Sequence, residues 1–462
     1  MKYILGLFIA LVALNGWGRN LSPLDWGFEK AATSIERFHV LQAVHAEAVK
    51  RGVDVDYSGM PNHIEIEIPD QASPIQLTDN NNFRGIIFEV HNKRKELFLF
   101  ERKGVLEPIE LSKQEIDDAN FQKNRIINKD KCLVVVEDAN YWTERVGYGY
   151  SVKRKDILLV ENGIGVNKVI QPYNNEYSLP KCSYRYVNDE KTVVKNLTVK
   201  RSKDSTQKTY VLILANLNDV RIEGIDIETP EGDMYGDMAL GIYNCTNVRV
   251  KDVNIKGTYS QKGKFGYGIN MNNVYHSHFK NLKASALWGI FGTNNLSEVT
   301  LEKCDINRFD IHCYGRNVYC KNTTFHTLYN QFSSFYGELT FKNCRFENFI
   351  PVLLEPSYNA YTDFQLNLID CKWEVNESRN YLLHAGQLGD APNRRKELEQ
   401  KFLPAVYLKN LEIAATVGVK EVYLFKPGTV STKNQQFLVK KERDGLKFMI
   451  KKKEYNRCKI TD

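Results

Sequence analysis

The chain has 462 residues, with 25 Tyr and 23 Phe among them, and 63 basic against 56 acidic side chains give a formal net charge of +7. That aromatic content excludes disorder over most of the length. The basic excess permits an anionic partner but is too small to call for a nucleic acid, and the length suits one elongated domain or two or three compact ones.

The N-terminal stretch MKYILGLFIALVALNGWG (1–18) carries an early Lys, a short apolar run and small residues at its end. It predicts a secretory signal peptide, and hence a secreted or periplasmic protein. The run is too short to span a bilayer. No Cys follows it closely, as a lipid anchor would require, and no later segment reads as a membrane span. Residues 19–190 predict an N-terminal cap and opening coils. Within them, 33–52 reads as a helix: Thr33 and Glu36 make a capping box, Ile35, Phe38, Leu41, Val44 and Ala48 form one apolar stripe, and Gly52 ends it. Strand-like runs follow as HIEIEIP, RGIIFEV, ELFLFER and CLVVVE.

Residues 191–430 are organised by a repeat. VRVKDVNI (248–255) has apolar residues at its first, third, sixth and eighth positions. The pattern recurs from Thr192, Val220, Ser277, Val299, Val318, Leu339, Leu366 and Val406, nine copies at steps of 28, 28, 29, 22, 19, 21, 27 and 40 residues. Alternation at both ends of a copy means strand, and the phase shift in its middle means a corner. One copy cannot bury its apolar face alone, but stacked copies can. Steps near twenty residues suit the coils of a right-handed parallel β-helix. The leucine-rich repeat, the competing solenoid, needs a regular period and a Leu signature that are missing here.

The residue before the third apolar position is Asn196, Gly224, Asp252, Asn281, Lys303, Asn322, Asn343, Asp370 or Asn410. Asn, Asp and Gly tolerate left-handed corner geometry, and stacked Asn amides can hydrogen-bond up a column. Of nine cysteines, Cys304, Cys344 and Cys371 share one apolar column and Cys320 sits in another, which makes them small buried hydrophobes. Cys344 and Cys371 fall in neighbouring coils, where a bridge is possible. The segment 388–402 reads as a charged helical excursion, and the basic tail 431–462 as closing strands with a solvated outer face. The predicted class is therefore all-β: a right-handed parallel β-helix with an N-terminal capping helix.

WGIFGTNNLSEVTLEKCDINRFDIHCYGRNVYCKNTTF (288–325) resembles the pectin-lyase-like superfamily of secreted and phage tail-spike β-helices. The run RFDIH one coil after WGIFGTN, and the opening GVDVDYSGMPNHIEIEIPD (52–70), carry the likeness, which extends over residues 35–430. The resemblance implies the fold. It leaves the reaction open, because the superfamily holds polysaccharide lyases, glycoside hydrolases, esterases and non-catalytic spikes. Neither the Asp triad with GHG of the polygalacturonases nor the Asp cluster of a calcium-dependent pectate lyase is present, so no cofactor is called for and calcium has no support.

A strand precedes each repeat: YGINMNN (267–273), WGIFGTN (288–294), FDIHCYG (309–315), QFSSFYG (331–337) and PVLLEPS (351–357). In FDIHCYG, Phe309, Ile311 and Cys313 share one face, and Asp310, His312 and Tyr314 the other. With the apolar set inward, Asp310 and His312 point out, about 6–7 Å apart along the strand. The same reading turns Asn270, Asn272, Phe291, Thr293, Ser333, Phe335 and Glu355 outward, with Arg308, Tyr329 and Asn330 close by. Polar groups interleaved with aromatics suit a sugar chain. Two mechanisms fit. A lyase on an acidic polysaccharide would use His312, oriented by Asp310, as base, Arg308 or an Asn to stabilise the enolate, and Tyr314 or Tyr329 as acid. An inverting hydrolase would use Asp310 and Glu355, two coils and about 9–10 Å apart. A phosphodiester-cleaving variant and a non-catalytic glycan-binding β-helix complete the alternatives. The lyase is preferred for the positive charge and the Asp–His pair.

Overall fold

The computed structural model describes residues 20–91, 96–102, 107–111, 131–145, 150–162, 164–166, 181–186, 191–202, 210–229, 238–257, 267–285, 288–333, 335–354, 363–385, 404–415, 419, 421–425, 447–449 and 458–461. The signal peptide (1–18), the helical excursion (388–402) and Glu355 lie outside them. Most strands join one 24-stranded sheet whose pairings are parallel between successive coils. The chain is a right-handed parallel β-helix with a helix at its N-terminal end.

The repeat sets the register. Thr192, Val220, Val248, Ser277, Val299, Val318, Leu339, Leu366 and Val406 pair each with the next, so the first residue of every copy lies in one column. All nine corner residues, Asn196 to Asn410, have φ between 49° and 64°. For most residues this left-handed geometry is costly; for Asn, Asp and Gly it is cheap. The column is tied where chemistry allows: Asn281 Nδ2 donates to Asp252 Oδ1 at 2.7 Å and Asn410 Nδ2 to Asp370 Oδ1 at 2.8 Å.

Inside the solenoid, Phe279, Phe291, Phe309, Phe332, Phe335 and Phe364 form a ladder of edge-to-face contacts with centroids 4.9–5.9 Å apart. Such pairs add to the hydrophobic gain of burying each ring. Cys304, Cys320, Cys344 and Cys371 are buried in the same core as free thiols, with no bridge between Cys344 and Cys371. Burial pushes the Cys304 thiol up to about 11, which leaves it protonated and inert at neutral pH.

Helix α1 (Ser34–Arg51) closes the N-terminal end. Thr33 Oγ1 accepts from the Glu36 amide at 3.2 Å, the Glu36 carboxylate accepts from the Thr33 amide at 3.1 Å, and Gly52 ends the helix at φ 66°. Phe38, Leu41, Val44 and Ala48 are buried against the strands His63–Glu67 and Ile75–Gln76, while Ile35, at the start of the stripe, is exposed. His45 joins the buried face and hydrogen-bonds Tyr57 Oη at 2.7 Å, and burial lowers its pKa to about 3.

One strand run takes a different course. CLVVVE lies in the strand Lys131–Arg145 of a five-stranded antiparallel sheet, not in a coil. That sheet has its own small core, with Cys132, Val134, Val136, Leu158 and Val160. It docks on the solenoid through Arg185, whose guanidinium donates to the carbonyls of Asn216 and Asn244. Its strand Tyr150–Glu161 lies against the coils Tyr267–Ser285, Gly289–Glu302 and Phe309–Lys321. Among the described residues no helix is long and apolar enough to cross a membrane.

Candidate functional site

The register defines the outer face. Ile213, Gly241, Asn270, Gly292, Asp310, Gln331 and Leu353 pair in sequence across successive coils and form one outward row. On this row the regular stack is interrupted. Thr293 pairs with Ile311, but Asn294 pairs with Cys313, so His312 is the extra residue of a β-bulge. A bulge re-aims a side chain, and His312 stands half-buried at the surface.

The cluster centres on Tyr267, two rungs away. Its ring lies flat across the next coil because Gly292 has no side chain there: a Cβ at Gly292 would stand 2.6 Å from Tyr267 Cγ. The phenol reaches Asp310 Oδ2 at 3.3 Å and His312 Nε2 at 3.1 Å, and accepts from Trp288 Nε1 at 3.2 Å. The phenol's single hydrogen goes either to the Asp310 carboxylate, with His312 Nε2–H then donating to the phenol oxygen, or to an unprotonated His312 Nε2.

Asp310 lies beneath this phenol and is fully buried. Arg308 Nε donates to its Oδ1 at 2.5 Å. Burial pushes the Asp310 carboxyl up to about 6, against the opposing pull of the Arg308 charge and the hydrogen bonds from Arg308, Tyr267 and the Gln331 backbone. Arg308 is itself buried. Its guanidinium carbon is 4.3 Å from the ring centres of both Trp288 and Tyr329, and its Nη2 donates to Gln331 Oε1 at 2.7 Å. A guanidinium stacked between aromatics and paired with a carboxylate is fixed in place.

The expected stripe is thus partly rephased. Asn270 and Asn272 face outward, half-buried, as read. Phe291, Thr293 and Phe335 do not: the two Phe belong to the internal ladder, and Thr293 Oγ1 is buried, donating to the Asp310 carbonyl at 2.6 Å. Ser333 is buried, its amide spent on the Ile311 carbonyl. Tyr314 is buried at φ 60°, in the corner column of Asn244, Asn273 and Asn295, instead of beside His312. Cys313 leaves the inward set, since its thiol meets Asn294 Oδ1 at 3.0 Å.

Asn330 is a staple. Its Oδ1 accepts from the Phe309 amide at 3.0 Å and its Nδ2 donates to the Pro351 carbonyl at 3.2 Å, where the register shifts between Tyr329 and Gln331. Arg308 cannot meet a sugar carboxylate from the surface, because its charge is buried against Asp310. Asp310 reaches His312 through Tyr267. The structure adds Tyr267, Trp288 and Gln331 to the cluster; the glycines of WGIFGTN were the signal that a ring lies over that coil. Among the described residues no group of three or more His, Cys, Asp or Glu side chains could hold a metal ion.

These features define a parallel β-helix with a polar and aromatic cluster on one outer face. No protein-family model and no curated protein matches the chain. Among solved structures it is similar to the tailspike protein gp49 from Pseudomonas phage LKA1, at 11% identity over 88% of this chain and 80% of that one, TM-score 0.45. It is also similar to the Pseudomonas phage phi297 tailspike gp61, at 11% identity over 89% and 80%, TM-score 0.48. A third is PfbA, a surface adhesin of Streptococcus pneumoniae, at 8% identity over 86% and 91%, TM-score 0.27.

Proposed function

We propose that this chain is an exported, carbohydrate-active β-helix that binds a polysaccharide on the face of Tyr267 and His312 and cleaves an acidic glycan by β-elimination. One observation carries the reading: a surface imidazole and a half-buried phenol share a hydrogen bond of 3.1 Å, with a buried carboxyl behind the phenol. Paired groups of this kind move protons between neighbouring atoms of one substrate. In the elimination His312 takes the proton α to the uronate carboxyl, and Tyr267 returns a proton to the departing glycosidic oxygen. A C–H and a C–O bond break, a C=C bond forms, and the chain is left with one unsaturated end and one free hydroxyl. Asp310 acts as a positioning residue through Tyr267, and the outward amide of Asn272 offers a hydrogen bond to substrate oxygens.

The inverting hydrolase is less well supported. It needs Asp310 to touch water or the leaving oxygen, and that carboxyl is buried under Tyr267 and paired with Arg308. Digestion of a broad polysaccharide panel tests the proposal. Ultraviolet absorbance of unsaturated uronate together with new reducing ends is the expected result. Reducing ends alone would mean hydrolysis, and binding without either would mean a non-catalytic glycan receptor.

A further inference from the structure

We infer that Tyr210, Tyr243 and Asn270 form a second sugar subsite on the same outer face, taking an uncharged, hydroxyl-rich part of the glycan. The inference rests on the polysaccharide reading above and names a subsite of that face.

The first support is a repeated device. Gly241 and Gly292 occupy the same outward row, two rungs apart, through Asn270. Each lies under tyrosine. A Cβ at Gly241 would stand 2.8 Å from the Tyr243 ring and 3.2 Å from that of Tyr210, as one at Gly292 would collide with Tyr267. Two aromatic platforms therefore sit on one row, separated by about 10 Å, since rungs are about 4.8 Å apart. That is about the length of a disaccharide, so a longer glycan lying along the helix axis is needed to place a sugar on each platform at once.

The second support is a count of hydrogens. The Tyr243 and Tyr210 hydroxyls bond each other at 2.7 Å, and Asn270 Nδ2 donates to Tyr210 Oη at 2.9 Å. Two hydroxyl hydrogens are present and the bond between the oxygens uses one, which leaves the other to donate outward. Both rings are half-buried and meet edge to face, centroids 6.3 Å apart at 83°. They present an aromatic surface beside a hydroxyl donor, which matches the apolar face and the hydroxyl rim of a sugar ring. None of the three side chains is cationic, and the Glu96 carboxylate acts electrostatically on Tyr243. A sugar carboxylate is therefore disfavoured at this platform.

The test is binding of the full chain to an array of bacterial and plant polysaccharide fragments graded from disaccharides to octasaccharides. Wild type should gain affinity once a fragment spans both platforms. The double variant Tyr210→Phe, Tyr243→Phe should lose about tenfold for octasaccharides and nothing for disaccharides. Asn270→Asp, of nearly the same shape, provides the same reading if the double variant is poorly folded, with long acidic fragments losing most. Equal binding of octasaccharides by wild type and both variants overturns the subsite alone. So does a loss that is the same at every length. No binding of any glycan by wild type overturns the polysaccharide reading together with the subsite.

Discussion

Two regions of the same coils follow different rules. In the corner column from Asn196 to Asn410 every copy of the repeat adopts one left-handed conformation, and all but Lys303 are the Asn, Asp or Gly that this backbone geometry favours. Between Tyr267 and Gln331 the coils depart from that regularity. His312 is bulged, Tyr314 replaces an Asn in a corner ladder, and Asn330 staples a register shift. The ladder shows the cost of the departure. Asn244, Asn273 and Asn295 each donate to the rung before at 2.8–3.0 Å, but Asn295 Oδ1, facing the rung of Tyr314, is buried without a partner. A buried polar atom left unpaired costs stability. Irregularities concentrated next to a buried ion pair are the departures that a functional site imposes on a scaffold, and they support the site proposed on this face.

Substitutions can break or sharpen this contrast. The largest effect on the scaffold side is expected at Phe309, in the middle of the internal ladder. Phe309→Ala should cost about 3–5 kcal/mol in denaturant unfolding. On the site side, His312→Ala should lower turnover by roughly 10²–10⁴-fold while the melting temperature stays nearly unchanged. A fully active His312→Ala protein would remove the site from this face, and a large fall in melting temperature would make His312 part of the scaffold.

Acid titration separates the capping helix from the site by the sign of their slopes. His45 has its folded pKa lowered from 6.5 to about 3, so the unfolded chain binds the extra proton and stability falls as pH drops from about 6.5 toward 3. Asp310 has its folded pKa raised from 3.8 to about 6, so its contribution is present at low pH and is lost as pH rises from about 4 through 6. Between pH 4 and 6 the two slopes oppose one another, each about 1.4 kcal/mol per pH unit at most. Asp310→Asn should therefore steepen the acid loss of stability in that window, and His45→Gln should flatten or reverse it. Chemical unfolding across this range measures both, and identical slopes in wild type and Asp310→Asn would rule out a titrating Asp310. The smallest effect belongs to a single corner. Asn281→Ala should cost about 1–2 kcal/mol from its φ of 55° and the lost bond to Asp252, and Asn281→Gly less.

Much of the fold was legible because its determinants are local. A left-handed corner favours Asn, Asp or Gly at that residue, and the Thr33–Glu36 box names the helix start within four residues, so both can be read along the chain. The outward aim of Asn270, Asn272 and His312 was legible for the same reason, through alternation. Phase failed at WGIFGTN and QFSSFYG, where both parities carry apolar residues and glycine hides which one faces out. The tertiary structure decided that Phe291 and Phe335 face in, that Tyr314 fills a corner, and that Asp310 is buried.

It also decided the partners. Tyr267 meets Asp310 and His312 across 43 and 45 residues of sequence, and Arg308 meets Trp288 and Tyr329 on either side. In a solenoid, residues one rung apart are about 4.8 Å from each other whatever the length of loop between them. The sequence by itself determined that the coils stack and where they turn, since one residue's own conformational preference is enough for that. Which side chains share a rung, and so which phenol reaches which imidazole, depended on loop lengths and on a bulge, and these become visible only when the coils are wound.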